Sequence, residues 1–177
     1  MIGDLKYGRT VHSLCRLLCL YKNVRLVLIS PPELQMPQAQ LAALKAAGHQ
    51  VQTTEDLEAG IEDVQIVYST RIQTERFPSA AEADLYRGRF RLNQAVYTRA
   101  CQPNTVIMHP LPRDSRAAAS ELDQDLDSNP NLAIFRQADN GVRVRMALFA
   151  LILGVDSLIE KYQREVSWHS AKSRPAE

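Results

Sequence analysis

Apolar positions along the chain switch repeatedly between helical spacing and short continuous runs. Helical spacing predicts five helices, at 10–22, 37–48, 57–61, 92–100 and from 139 to about 163. Runs of β-branched residues and leucine predict four strands, at 24–30, 49–54, 63–71 and 104–109. Because strands that alternate with helices favour right-handed crossovers, we predict a doubly wound, Rossmann-like α/β fold: an open parallel sheet with helices on both faces.

The opening stretch, MIGDLKYGRTVHSL, has the pattern of a strand end that turns into a helix. Only Met1 and Ile2 precede the turn, so we expect the first strand of the sheet to be truncated. The pattern divides the chain into an α/β domain over 1–138, a C-terminal helix over 139–163 and a polar tail over 164–177.

Composition narrows the class of partner. The 177 residues are 45% hydrophobic and 23% charged, as in globular proteins, and the net charge of +1 gives no electrostatic reason to expect nucleic acid or a membrane as a partner. The longest apolar stretch, 146–155, is too short to span a bilayer, and the N-terminus lacks the apolar segment of a signal peptide. We therefore predict a cytoplasmic location.

Cysteine and histidine usage predicts no metal site. The three cysteines form no CxxC pair and are expected to be reduced thiols, buried as small apolar residues (Cys15, Cys19 and Cys101). The four histidines lie far apart and lack the spacing of metal ligands (His12, His49, His109 and His169).

Side chains that could bind a ligand follow the predicted strands, and ligands bind at this position in open parallel sheets. Arg9 follows the first strand and Arg71 ends a later one, so both guanidinium groups could converge on one cleft. Two planar guanidinium groups suit a ligand with two carboxylates, each bound bidentately. Gln73 and Arg76 add further polar donors in the same segment. The alternative is that both arginines form ordinary surface ion pairs.

The sequence HPLPR follows the strand predicted at 104–109. Pro110 and Pro112 flank Leu111, stiffen the backbone and remove two N–H donors, which leaves a rigid rim of carbonyl acceptors. Such a rim suits a neutral group that carries N–H donors, such as an amide or a carbamoyl group. The alternative is a stiff turn that leads the chain out of the sheet, and His109 is expected to be structural.

Several other functions are excluded by missing motifs. The stretch GDLKYGR is not the dinucleotide-binding G-x-G-x-x-G, and there is no phosphate-binding P-loop, kinase signature or nucleophile elbow. We assign no catalytic nucleophile or general base to this chain.

Four blocks carry a family resemblance: GDLKYGRTVHSL, YSTRIQTERF, VIMHPLPR and FRQADNGVRVRMALFALILG. In their order and nearly in their spacing they resemble the catalytic chain of aspartate carbamoyltransferases, over residues 2 to about 155. Ornithine carbamoyltransferases lack KYGRTVHS, so the aspartate enzymes are favoured.

The resemblance implies transfer of a carbamoyl group from carbamoyl phosphate to L-aspartate, in pyrimidine synthesis and without a metal or organic cofactor. It implies that Arg9 and Arg71 hold the carboxylates of aspartate and that Gln73 orients it. The backbone of Pro110 and Leu111, beside Pro112, would contact the carbamoyl group. The segment from about 74 to 90 would match the family's mobile loop, which closes over the substrate.

Other features of the family have no counterpart here. The Ser-Thr-Arg-Thr phosphate-binding motif of the family's first domain is missing, and so are the arginine and histidine that stabilise the oxyanion. The acid that usually stands two positions beyond the HPLPR arginine is also missing after Arg113. An ion pair that this acid would form in the family is therefore not expected in this chain.

We therefore expect the aspartate-binding half of such an enzyme, inactive alone. It would bind carbamoyl phosphate jointly with the missing N-terminal domain, against which the helix over 139–163 would pack. The complete chain would form a homotrimer. The alternative is a non-catalytic interaction or assembly module with the same fold.

Overall fold

A computed structural model of the protein describes residues 1–72, 77, 79–86, 88–114, 120–162 and 164. Its helices are α1 (Arg9–Leu18), α2 (Gln38–Ala46), α3 (Leu57–Ile61), α4 (Ala80–Asp84), α5 (Gln94–Ala100), α6 (Ile134–Ile152) and α7 (Ile159–Tyr162). Its strands are β1 (Arg25–Ile29), β2 (Gln50–Thr54), β3 (Ile66–Tyr68) and β4 (Val106–Met108). The chain forms two compact units, Met1–Ala138 and Asp139–Glu177.

The strands form two parallel pairs on either side of Ile2. Strand β1 pairs with β2, with Arg25 opposite Gln50, and β3 pairs with β4. Ile2 forms parallel bridges to Ile29 on one side and to Ser69 on the other. The spatial order is therefore β2, β1, Ile2, β3, β4, which confirms the predicted parallel α/β fold.

Helices cover both faces of this sheet, as predicted. Along β1, Leu26 and Leu28 point into one apolar cluster, and Val27 and Ile29 point into another. The first cluster contains side chains of α1 and α2, and the second contains side chains of α3 and α5. Strand β1 is thus apolar on both faces because both faces are covered, which explains its unbroken run of apolar residues.

The predicted helix over 139–163 is wrong at both ends. Helix α6 begins earlier, at Ile134, and ends at Ile152. Gly154 has φ +65°, its N–H donates to Leu151 O, and Val155 N–H donates to Ala150 O. Two such bonds around a left-handed glycine terminate a helix, so α7 is a separate short element. None of the helices in the described ranges is long and apolar enough to cross a membrane.

Two glycines make the turn between Ile2 and α1 possible. Gly3 has φ +108°, and a Cβ atom there would lie 2.4 Å from the carbonyl oxygen of Thr70. A Cβ atom on Gly8 would lie 2.4 Å from the carbonyl oxygen of Asp4. The buried Asp4 carboxylate accepts the Tyr7 N–H at 2.8 Å and closes the turn. The stretch GDLKYG therefore delivers the first residues of α1 to the end of β3.

We expect Gly3→Ala to lower the free energy of unfolding by about 3 kcal/mol, because a left-handed φ and a backbone clash act together. Gly48→Ala is the matched control, since Gly48 also has positive φ (+85°) but has open space around it. That control should cost only about 1 kcal/mol. Urea denaturation of both variants measures the difference, and equal losses would contradict the close approach of Gly3 to Thr70.

When the 177 residues are made as a separate polypeptide, its stability should also depend on the Met1 α-amino group, which donates to Val27 O at 2.8 Å. Burial lowers its pKa from 8.0 to about 5. Between these pH values the unfolded chain binds a proton that the folded chain does not, so lower pH favours unfolding. We therefore expect the free energy of unfolding to be highest above pH 8 and to decrease as the pH falls from 8 to 5. Urea denaturation across this pH range measures the change. The free energy of unfolding should vary more steeply with pH than it does for the N-acetylated chain, and equal variation in both would contradict a role of the Met1 amine.

Candidate functional site

Three loops meet in one cleft at the carboxyl ends of Ile2, β3 and β4. The cleft has a volume of about 190 Å³. Its lining consists of Arg9, Thr10, Thr70, Arg71, His109, Pro110, Leu111 and Pro112. The structure thus brings together all the predicted site residues except Gln73, which lies outside the described residues. Convergence at this edge follows from the parallel order of the strands.

The N-terminus of α1 forms one wall of the cleft. Gly8 is its N-cap, and the first turn contains no acidic residue, so the positive end of the helix dipole is not offset there. Arg9 is exposed at this end. The Thr10 side chain hydrogen-bonds to Tyr68, whose pKa is raised above 10.0 by burial, so the phenol stays protonated and connects α1 to β3.

Thr70 fixes the position of the second arginine. Its backbone N–H and its hydroxyl both donate to Ile2 O, at 3.0 and 3.1 Å. Thr70 is buried, and the half-buried Arg71 follows it directly. The second guanidinium is therefore attached to a backbone that is anchored to the middle of the sheet.

The HPLP segment lines the cleft, and its backbone has few N–H groups available to a ligand. Leu111 has φ +56°, and the Leu111–Pro112 peptide bond is cis. The N–H of Leu111 donates to His109 Nδ1 at 2.8 Å, and neither neighbouring proline has an N–H. Because the His109 N–H also donates to Gln137 Oε1, carbonyl oxygens are the backbone groups that this segment can offer to a ligand.

A buried pair, His109 and Glu121, supports this segment from behind. His109 Nε2 lies 2.7 Å from Glu121 Oε1, and the two side chains are 1% and 8% exposed. Because His109 Nδ1 accepts the Leu111 N–H, the neutral ring carries its proton on Nε2, facing the carboxylate. The Glu121 carboxylate also accepts the N–H of Asp114, at 3.2 and 3.3 Å. Both ends of the segment are thus held by one side chain.

Sequence reasoning missed Glu121. An acid was sought two positions beyond Arg113, whereas Glu121 stands eight positions beyond it and reaches back to the HPLP segment. Arg113 itself pairs with Asp127, with Nη1 2.7 Å from Oδ1. The short stretch SELDQDLD, rich in acids soon after HPLPR, was the available signal.

The segment after Arg71 returns to the turn before α1. Phe77 contacts Tyr7 edge to face, with ring centroids 5.8 Å apart, and its ring centroid lies 5.9 Å from that of Tyr86. Much of the segment expected to close over the substrate, including 74–76, 78 and 87, lies outside the described residues.

The arrangement suits binding and orientation of a polar anion. Two guanidinium groups and a helix N-terminus attract negative charge, and the HPLP carbonyls accept N–H donors. Within the described ranges, no group of three or more His, Cys, Asp or Glu side chains could hold a metal ion.

Glu121→Ala should lower the free energy of unfolding by about 2–3 kcal/mol, because it removes the buried carboxylate that lies against His109 Nε2 and accepts the Asp114 N–H. Glu58→Ala removes a carboxylate from an exposed pair with Arg99 and should leave stability nearly unchanged. Urea denaturation compares the two variants. If Glu121→Ala were as mild as Glu58→Ala, the supporting role of Glu121 would be wrong.

Comparisons with known proteins find relatives over most of the chain. The family model "Aspartate/ornithine carbamoyltransferase, Asp/Orn binding domain" matches residues 1–152. The chain is 67% identical to the aspartate carbamoyltransferase catalytic subunit of Cellvibrio japonicus over 171 residues, which are 97% of this chain and 51% of that protein. Identity to the same subunit of Saccharophagus degradans is 64%, over 98% of this chain and 51% of that protein. The chain thus spans about half the length of the curated relatives it matches.

Solved structures give the same result. The catalytic subunit of aspartate transcarbamoylase from M. jannaschii has a TM-score of 0.73 at 37% identity, covering 93% of this chain and 49% of that chain. Aspartate transcarbamoylase from Trypanosoma cruzi, solved with N-(phosphonacetyl)-L-aspartic acid, has a TM-score of 0.72 at 35% identity, covering 84% and 46%. Together with the cleft, these matches show that the chain belongs to the aspartate/ornithine carbamoyltransferase family.

Proposed function

We propose that this chain is the aspartate-binding half of an aspartate carbamoyltransferase. The observation that supports this most is the single cleft that joins Arg9 and Arg71 with the HPLP carbonyl rim. The complete enzyme would convert carbamoyl phosphate and L-aspartate to N-carbamoyl-L-aspartate and phosphate. Its product feeds pyrimidine synthesis, and a cytoplasmic location fits this role.

In this proposal the two arginines bind the two carboxylates of aspartate, and Gln73 helps to orient it. Each guanidinium can bind a carboxylate bidentately, which fixes direction as well as position. The carbonyl groups of Pro110 and Leu111, beside Pro112, accept the N–H groups of the carbamoyl group. The α-amino nitrogen of aspartate then faces the carbamoyl carbon, since both reactants are held in the same small cleft.

The reaction needs little else from this half. The neutral aspartate nitrogen forms a bond to the carbamoyl carbon, and a tetrahedral intermediate forms. Its collapse breaks the bond to phosphate, and the proton that the nitrogen gives up goes to the departing phosphate. Positioning of the reactants and stabilisation of charge account for catalysis of this type. The residues that would bind the phosphate and stabilise the oxyanion belong to the other domain, so this chain alone should be inactive.

The second unit has an apolar surface that suits contact with the carbamoyl-phosphate domain. Its part of α6 exposes a series of large apolar side chains: Val142, Val144, Met146, Phe149 and Ile152. An exposed apolar series of this size marks an interaction surface. We propose that it packs against the carbamoyl-phosphate domain, and that the complete chain assembles as a homotrimer. The Trypanosoma cruzi relative has been solved with carbamoyl phosphate and aspartate together, which supports the choice of substrates.

Reconstitution tests the proposal. The N-terminal half of the Cellvibrio japonicus relative, made as a separate polypeptide, is mixed with this chain, and formation of carbamoyl aspartate is measured. We expect turnover in the mixture and none from this chain alone. Calorimetry with N-(phosphonacetyl)-L-aspartic acid should show binding to the same mixture. If a folded partner gave neither turnover nor binding, the non-catalytic assembly module would be favoured instead.

Arg9→Gln and Arg71→Gln should each weaken binding of that analogue to the mixture by about tenfold to a hundredfold, because each removes a charge-assisted pair with a carboxylate. Arg99→Gln is the control, since Arg99 lies on α5 and pairs with Glu58, away from the cleft. Calorimetry on the three variants distinguishes a dicarboxylate site from general charge attraction. Equal weakening by all three would contradict the assignment of Arg9 and Arg71.

A further inference from the structure

Glu121 has a buried carboxylate that lies close behind the cleft. Its side chain is 8% exposed. It lines a small cavity of about 10 Å³ together with Thr70, which also lines the cleft. Among the described residues that line the cleft itself, Glu121 is not included. Because acidic side chains are seldom buried unless they interact with other polar groups, the contacts of Glu121 indicate its role.

Backbone pairing fixes the segment that carries this carboxylate. Leu122 forms a parallel bridge to Leu92. On either side of the bridge, Leu92 N–H donates to Glu121 O and Asp123 N–H donates to Leu92 O, both at 3.0 Å. Both carboxylate oxygens of Asp123 also accept the Nε–H of Arg91, at 2.7 and 2.8 Å. The Glu121 side chain therefore extends from a backbone that is held in place.

The Glu121 carboxylate contacts the HPLP segment on both sides of Leu111. Glu121 Oε1 lies 2.7 Å from Nε2 of His109, two positions before Leu111. The same oxygen accepts the N–H of Asp114, three positions after Leu111, at 3.2 Å. One carboxylate oxygen thus reaches groups that flank the residue whose carbonyl lies in the proposed carbamoyl-binding segment.

Leu111 needs this support because of its backbone conformation. Its φ of +56° is in the left-handed region, which is unfavourable for a residue with a Cβ atom. Such a conformation persists only where the surrounding structure holds it. The Leu111 N–H donates to His109 Nδ1 at 2.8 Å, so rotation of the imidazole ring would break this bond. Glu121, on the other ring nitrogen, opposes that rotation.

We propose that Glu121 is a positioning residue for the carbamoyl group. It acts through His109 and keeps Leu111 in the conformation in which its carbonyl can accept the carbamoyl N–H groups. This role rests on the function proposed above and adds to it a residue that does not touch the substrate. Because the two arginines bind the carboxylates without this contact, Glu121 should affect recognition of N–H donors and not of carboxylates.

Hydrogen bonding, not charge, is sufficient for this role. Oε1 is the oxygen that reaches both His109 Nε2 and the Asp114 N–H. A glutamine has the same length, and its side-chain carbonyl oxygen can accept from both groups at that position. Glu121→Gln should therefore preserve the role that Glu121→Ala removes.

Ligand selectivity and amide exchange test the proposal in the 177-residue chain and three variants. The variants are Glu121→Ala, Glu121→Gln and Thr105→Val. The last is the matched control, because it removes a hydrogen bond of another buried side chain, from Thr105 Oγ1 to Val64 O at 2.7 Å, at the opposite end of β4. NMR titrations give the dissociation constants of N-carbamoyl-L-aspartate and of succinate, a dicarboxylate without N–H donors. Exchange of the Leu111 amide is measured without a ligand.

We expect Glu121→Ala to lower the preference for N-carbamoyl-L-aspartate over succinate by about tenfold, with the affinity for succinate within about twofold of that of the unmodified chain. The Leu111 amide should exchange about tenfold faster in Glu121→Ala than in Thr105→Val. Glu121→Gln and Thr105→Val should both keep the ligand preference of the unmodified chain.

Three results would overturn this proposal alone. They are a ligand preference that survives in Glu121→Ala, an equal loss of preference in Glu121→Gln, and equal Leu111 exchange in Glu121→Ala and Thr105→Val. If the unmodified chain bound neither ligand, the aspartate site itself would be overturned together with this role. Failure of the proposed function can therefore be distinguished from failure of the role of Glu121.

Discussion

The architecture depends on the backbone of Ile2, which joins the two strand pairs. Its N–H and carbonyl bond to Tyr68 and Thr70 on the β3 side, while Gly3 N–H bonds to Ile29 O on the β1 side. These bonds bring the turn before α1 next to the end of β3, and β4 follows through its pairing with β3. The convergence of the arginines and the HPLP segment is therefore a consequence of sheet order. Gly3 is required at this point because Thr70 passes too close for any side chain.

Much of this fold could be predicted from the sequence, because local pattern and tertiary burial agree. The run at 24–30 is apolar throughout, and β1 is buried on both faces. Parallel strands end at the same edge of a sheet, and this rule alone predicts that the residues after the strands converge. The convergence of Arg9, Arg71 and the HPLP segment could therefore be predicted without a structure. The resemblance to the carbamoyltransferases then supplied the chemistry of the ligand, which spacing alone left open.

The failures have physical causes. The end of α6 was missed because apolar periodicity continues past Gly154, whereas a left-handed glycine with two terminating hydrogen bonds ends the helix there. Glu121 was missed because its contact with His109 depends on the path of the intervening loop, which local pattern does not specify.

We propose that the three strand ends form one site for a dicarboxylate, and an NMR titration can test this proposal. The ¹⁵N-labelled chain is titrated with succinate and, as the monocarboxylate control, with butyrate. We expect the amide signals of Arg9, Thr10, Arg71 and Leu111 to shift together with succinate, with one shared dissociation constant, and to respond far more weakly to butyrate. Equal responses to the two ligands, or separate dissociation constants at the three loops, would contradict it.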